Sequence, residues 1–190
     1  MTKQLLFVQG GGGKDVHDAW DNRLVESLTR ALGPGYEIRY PRMPGEDDPK
    51  FSPWKAALRE ELSRLDEGAL LVGHSIGATI LVHSLAEEPP ERAPAGIFLV
   101  SMPFVGEGGW PSDEITPKPD LGARLPPRSA VYLYQGDADD TVPPKHAALN
   151  AQAIPQATVR RLAGRDHQLN DDMSEVAADI RGLTDDESAA

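Results

Sequence analysis

Short apolar runs and longer amphipathic segments alternate along this chain. The runs rich in Val, Ile, Leu and Tyr read as strands: Gln4 to Gln9, Tyr36 to Tyr40, Ala69 to Gly73, Ala95 to Val100, Ala130 to Gln135 and Ala157 to Leu162. Between most of them apolar residues recur with helical spacing, which predicts helices over Ala19 to Leu32, Ser52 to Leu65, Ile76 to Ala86, Pro144 to Ala153 and Asn170 to Leu183. Ser52 and Pro53 suit a helix start, and Asp171 and Asp172 suit the positive end of the last helix. Such alternation predicts an α/β domain with a mostly parallel sheet and helices on both faces. One connection breaks the rhythm. From Ser101 to Ser129 the chain is proline-rich without helical period, so an irregular excursion is expected there, of a length often put to functional use. The closing TDDESAA, 184–190, reads as a frayed, solvated tail.

Composition narrows the partners. A length of 190 residues suits one domain, and 39% hydrophobic with 26% charged residues suits a globular one. With 19 basic and 30 acidic residues the formal charge is 19 − 30 = −11, which disfavours nucleic acid and anionic membrane surfaces. The absence of cysteine excludes disulfides, thiolate zinc sites and cysteine nucleophiles. The apolar run in MTKQLLFVQGGGG is too short for a signal-peptide core or a spanning helix, so a cytoplasmic location is expected. Oligomeric state is left open by all of this.

The candidate chemistry begins at Gly73-His74-Ser75-Ile76-Gly77. This G-x-S-x-G pattern follows an apolar strand and opens an apolar helix, the setting of a nucleophile elbow. The flanking glycines suit a close approach of strand and helix, and the backbone N–H of Ile76 can face a developing oxyanion. The blander alternative is a Gly-Ser turn with Ser75 as helix cap, and the flanking strand and helix favour the nucleophile. A serine hydroxyl needs a base, and the base an orienting acid, in the chain order Ser, acid, His. His17 precedes Ser75, His74 adjoins it and reads as a packing group, and His83 and His146 lie inside helices. His167, just past the last strand, remains, at the carboxyl edge where α/β sheets gather their sites. The acid belongs at the end of the preceding strand, where Asp137, Asp139 and Asp140 crowd together and spacing alone does not choose.

With those segments in view, the chain resembles the α/β-hydrolase superfamily, and its compact size, glycine-rich first turn and scant cap resemble small serine hydrolases related to the retinoblastoma-binding serine hydrolase. The resemblance spans about Gln4 to Leu183. The family's acid commonly sits in G-x-x-D-x-x-V-P, and aligning Gly136, Val142 and Pro143 with it implies Asp139, with Asp140 as second choice. FVQGGGGKD resembles the H-G-x-G oxyanion turn with Gln9 in place of His, which implies Gly11 as the second donor and leaves Gly12 possible. Met102, Phe104 and Trp110 lie where the family often builds its acyl pocket, against the alternative of ordinary packing between loop and core. The family fold without its first two strands implies the order Tyr36, Gln4, Ala69, Ala95, Ala130, Ala157 strand. The implied activity is hydrolysis of small carboxylic esters without metal or organic cofactor. Transfer of the acyl group to another acceptor, or a non-catalytic interaction protein on the same fold, are the alternatives.

Four glycines after a first strand also suggest a phosphate loop. A G-x-G-x-x-G pattern fails because Asp15 and Val16 stand where its last glycine should, and a Walker loop fails at Val8 and Asp15. Asp15, His17 and Asp18 read as a solvated loop rather than metal ligands, since no second cluster completes a sphere.

Overall fold

Strands rich in branched residues build one six-stranded sheet in the computed structural model, which describes residues 2–189. They are β1 (Lys3–Val8), β2 (Tyr36–Arg39), β3 (Leu70–His74), β4 (Gly96–Val100), β5 (Ala130–Gly136) and β6 (Thr158–Leu162). Their order is β2-β1-β3-β4-β5-β6 and every adjacent pair is parallel. Both the order and the direction agree with the expectation from sequence. Parallel strands need crossovers, and helices supply them: α1 (Asn22–Leu32), α2 (Phe51–Ser63), α3 (Ser75–Glu87) and α5 (Lys145–Ala153), with a single turn of helix, α4 (Leu121–Arg124), between β4 and β5; α6 (Ser174–Ala189) follows the last strand.

The alternation of side chains along each strand divides the core in two. Leu6, Val8, Leu71, Ile97, Leu99 and Leu133 face one layer, which includes Trp54 and Leu58 of α2 and Ile80 and Leu81 of α3. Leu5, Phe7, Leu70, Val72, Phe98 and Val100 face the other, with Leu24 and Leu28 of α1 and Val176 and Ile180 of α6. β3 and β4 are buried at every position because helices cover both faces of the sheet centre. β6 is the reverse case, exposed at all but its last residue, and its Arg160 and Arg161 suit an edge that must not pair with another chain.

Departures from the expected elements cluster at helix starts. The helix predicted from Ala19 begins as a π-helical turn, Val16–Asp21, before α1. The one predicted from Asn170 is preceded by a 3-10 turn, Leu169–Asp171, and starts at Ser174, whose N–H is accepted by Asp172 at 3.0 Å. α6 continues to Ala189, where a frayed tail from Thr184 is expected. The Thr184 hydroxyl lies 2.7 Å from that of Tyr36 and ties the end of the helix to β2; Ala190 lies outside the described residues. The excursion is irregular apart from α4 and a bridge between Val105 and Trp110.

Where α3 leaves β3, the packing is set by backbone. A Cβ at Gly73 would lie 2.7 Å from Ala78 Cα, and one at Gly77 would lie 1.9 Å from the carbonyl oxygen of Gln9. Neither neighbour is a side chain that can swing away. Gly77→Ala is therefore expected to destabilise the fold by more than about 4 kcal/mol, seen as a lower urea midpoint or loss of soluble protein. Gly182→Ala on α6, with open space around it, should stabilise by about 0.5–1 kcal/mol.

Candidate active site

Ser75 sits at the junction of β3 and α3 with φ 53°, in the left-handed region. An L residue there costs roughly 1–2 kcal/mol and persists only where its surroundings enforce it. The glycine contacts just described do so, by forcing a sharp turn that lifts the serine out of the strand line. Ser75 keeps only 7% of its surface exposed. The N–H of Ile76 belongs to the first turn of α3, whose donors have no acceptor within the helix.

Two loops at the carboxyl edge bring the other candidates to the serine. His167 Nε2 lies 3.0 Å from Ser75 Oγ, and its Nδ1 lies 2.9 Å from Asp139 Oδ2. Asp139 is buried, whereas Asp137 and Asp140 are exposed, so of the three only Asp139 faces the imidazole. Its carboxylate is saturated: Oδ1 accepts the N–H groups of Thr141 at 3.0 Å and Val142 at 2.8 Å, and Oδ2 accepts Gln135 Nε2 at 2.9 Å. Burial pushes the Asp139 carboxyl up, but the His167 and Val142 hydrogen bonds outweigh it and hold the group below its ordinary value. With Nδ1–H given to Asp139, Nε2 is left as the acceptor for the serine proton.

The loops are held together at Gly136. A Cβ there would lie 2.1 Å from the carbonyl oxygen of Arg165, so the Asp139 loop and the His167 loop touch backbone to backbone. Asp137 reinforces the crossing by accepting the Gly164 N–H at 2.6 Å. Beyond His167 the chain turns through three left-handed residues, Leu169, Asn170 and Asp171. Asp166 holds that turn by accepting the N–H groups of Gln168 at 2.9 Å and Asn170 at 2.7 Å, while Asn170 Oδ1 accepts the Asp166 N–H at 3.0 Å. Arg165 secures the far side by donating to the Leu169 carbonyl and pairing with Asp172.

The first glycine turn lies against the elbow, since a Cβ at Gly10 would be 3.3 Å from Ser75 Cβ. Its donors are differently employed. The Gly10 N–H donates to Asp21 Oδ2 at 2.6 Å and the Gly12 N–H to the Glu46 carbonyl at 2.8 Å. Among the described residues no acceptor faces the Gly11 N–H. Four glycines would leave such a turn floppy, yet Gln9 and Glu46 fasten it. Gln9 Oε1 accepts the Met43 N–H, its Nε2 donates to Glu46 Oε2 at 2.8 Å, and that same oxygen accepts the His17 N–H at 2.8 Å. Sequence reasoning missed Glu46, Asp21 and Gln135, because each is one acid or amide among many until the fold sets it beside its partner. Gln9, standing where the family has His, was the one visible signal.

Met102, Phe104 and Trp110 have different surroundings. Met102 is buried in the core beneath the excursion, with its carbonyl accepting Asn150 Nδ2. Phe104 and Trp110 are half-buried, joined by the Trp110 N–H to Phe104 carbonyl bond, and both meet His146: its Nδ1 accepts the Phe104 N–H at 2.9 Å and its ring lies edge-on to Trp110. His83 is buried on α3, where desolvation lowers its pKa to about 4. His17 is occupied by Asp18, by the Tyr40 carbonyl and by stacking on the Tyr40 ring, and Asp18 is also paired with Arg42.

A model of the alpha/beta hydrolase family matches residues 5–180, and the chain belongs to that family. Among solved structures, the esterase domain of a Rhodothermus marinus protein is 22% identical with a TM-score of 0.65, over 94% of this chain and 84% of that one. Est1E from Butyrivibrio proteoclasticus is 14% identical at a TM-score of 0.69, over 100% and 89%. A monoacylglycerol lipase from Paleococcus ferrophilus is 17% identical at 0.66, over 96% and 95%. At these identities the likeness is one of fold. No curated protein matches the sequence. No helix among the described residues is long and apolar enough to cross a membrane.

Asp139 shares its lowered pKa with Asp21, Asp172 and Asp179, the last two through their arginine partners Arg165 and Arg160. A depressed carboxyl contributes stability that is complete above the unfolded value of about 3.9 and is lost as pH falls through the folded values. The melting temperature should therefore hold steady from about pH 7 to 5 and fall below about pH 4. A thermal melt series checks this, and Asp139→Asn should make the acid decline shallower.

Proposed function

We propose that this chain is a serine hydrolase that cleaves small carboxylic esters through an acyl-enzyme. The observation that carries the reading is the unbroken relay from Ser75 Oγ to His167 at 3.0 Å and from His167 to Asp139 at 2.9 Å. Ser75 Oγ attacks the ester carbonyl carbon while His167 Nε2 takes the hydroxyl proton. Asp139 holds the imidazole tautomer and stabilises the imidazolium. The N–H groups of Gly11 and Ile76 stabilise the tetrahedral oxyanion, a reading supported by the Gly11 donor beside the elbow, which no acceptor among the described residues engages. Collapse breaks the C–O bond to the alcohol, which leaves with the proton from His167. Water then attacks the acyl-enzyme, giving its proton to His167, and the carboxylic acid departs as Ser75 regains its hydrogen.

Phe104 and Trp110 supply an apolar surface for the acyl group, with Met102 behind them in the core. Kinship with the small cap-less serine hydrolases belongs to the same proposal, supported by the compact chain and by esterase and lipase neighbours of the fold, and a cytoplasmic setting is proposed with it. No cofactor is called for by this chemistry.

A fluorophosphonate probe should label the wild-type protein and fail on Ser75→Ala; an unlabelled wild type would overturn the proposal. Asp139→Asn should lower kcat roughly 10⁴-fold, as loss of the orienting carboxylate does in serine triads. Asp140→Asn should leave kcat near wild type. In a nitrophenyl ester series, acetate and butyrate should turn over faster than long-chain esters, and the reverse order would refute the preference for small substrates. Product analysis with added alcohols separates hydrolysis from acyl transfer.

A further inference from the structure

His74, the residue before the serine, is almost completely buried, and both of its ring nitrogens face acceptors. Nδ1 lies 2.9 Å from Asp21 Oδ2, and Nε2 lies 3.0 Å from the carbonyl oxygen of His167. A carbonyl has no proton to offer, so Nε2 must carry one. Asp21 Oδ2 already accepts the Gly10 N–H at 2.6 Å, and Oδ1 accepts Gln168 Nε2 at 3.4 Å, the pattern of an ionised acid rather than a protonated one. Nδ1 must then carry the second proton. We propose that His74 is a buried imidazolium, paired with the Asp21 carboxylate, and that it acts as a positioning residue which ties the backbone of His167 to the Gly10–Gly11 turn.

The arrangement joins the two halves of the site through a single cation. On one side the His167 carbonyl accepts both His74 Nε2 and Ser101 Oγ, the latter at 3.0 Å, so the base is held by its backbone while its ring meets Ser75. On the other side Asp21 holds Gly10, next to the Gly11 donor. Without the second proton, one of these bonds becomes a lone pair pointed at an oxygen, and either the base or the oxyanion turn loses its support.

A lone imidazolium would not survive there, since burial disfavours the charged form. The Asp21 carboxylate overrides that penalty and raises the pKa of His74, and His74 in turn keeps that of Asp21 low. The other groups facing the pair act in known directions. Asp139 reinforces the cation, the His167 ring lies 4.9 Å away, and Tyr40, which feels both Asp21 and Glu46, is held neutral by burial and by those carboxylates. A raised histidine contributes stability that is complete below its unfolded value of about 6.5 and is lost as pH rises through its folded value. Support for the base should thus fail on the alkaline side.

The inference rests on the reading of Ser75 and His167 given above, and its first test does not use turnover. In wild-type protein carrying ring-¹⁵N histidine, the resonances absent from His74→Gln should show both ring nitrogens protonated at pH 8. Free imidazole, with a pKa of about 6.5, is almost wholly neutral there. One unprotonated nitrogen at that pH would overturn the proposal. In Asp21→Asn, checked as folded by circular dichroism, fluorophosphonate labelling of Ser75 should slow roughly 10- to 100-fold, as when a functional histidine loses an orienting partner. The alkaline limb of its pH profile should also move to lower pH. An unchanged rate and limb would overturn the positioning role, whereas an unlabelled wild type whose His74 resonances are as expected would sink only the hydrolase reading.

Discussion

The site depends on a place where two stretches of backbone meet with no room for a side chain. At Gly77 the first turn of α3 lies against the carbonyl of Gln9, and at Gly73 the end of β3 lies against Ala78. These approaches bend the chain hard enough to hold Ser75 at a positive φ, and they set the Gly10–Gly11 turn beside the serine. Ser75 and the Gly10–Gly11 turn are therefore held as one unit, and a methyl group at Gly77 would push them apart. A second crossing of the same kind, Gly136 against Arg165, binds the Asp139 loop to the His167 loop. The site is assembled from two backbone contacts, with hydrogen bonds closing the space between them.

Charge is arranged locally in a way the overall balance of −11 conceals. Asp139 and Asp21 are both buried, and each accepts three or more hydrogen bonds, which compensates the desolvation that would otherwise protonate them. Each carboxylate is matched to a histidine: Asp139 to His167, whose ring meets the serine, and Asp21 to His74, whose ring meets the His167 carbonyl. The left-handed turn after His167 adds local strain, and it persists because Asp166, Asn170 and Arg165 supply its hydrogen bonds.

Much of the architecture was legible in the chain because parallel strands buried on both faces are apolar at nearly every position, and β1, β3 and β4 are such strands. The crossovers announced themselves by helical spacing. Less legible were the helix starts, where the π-helical turn before α1 and the left-handed residues before α6 are decided by what the loops must reach rather than by local propensity. Among the site candidates, Ser75 stood out by its glycines and His167 by chain order, and the fold puts both within hydrogen-bond reach. Asp139 could be separated from Asp137 and Asp140 only by likeness to a family pattern, since three neighbouring acids have equal propensity and differ only in which one the turn buries.

By itself the sequence determined the strand and helix periodicity, the glycines that permit a sharp elbow, and the inventory of groups able to hold or move a proton. These are properties of residue type and spacing, which the chain carries before it folds. The tertiary structure alone decided which groups meet. It placed Glu46 under the glycine turn, left the Gly11 N–H without an acceptor among the described residues, and set His74 between Asp21 and the His167 carbonyl, far apart in the chain. No local rule anticipates those contacts, because a buried polar group takes its partner from whatever the packed sheet brings within about 3 Å.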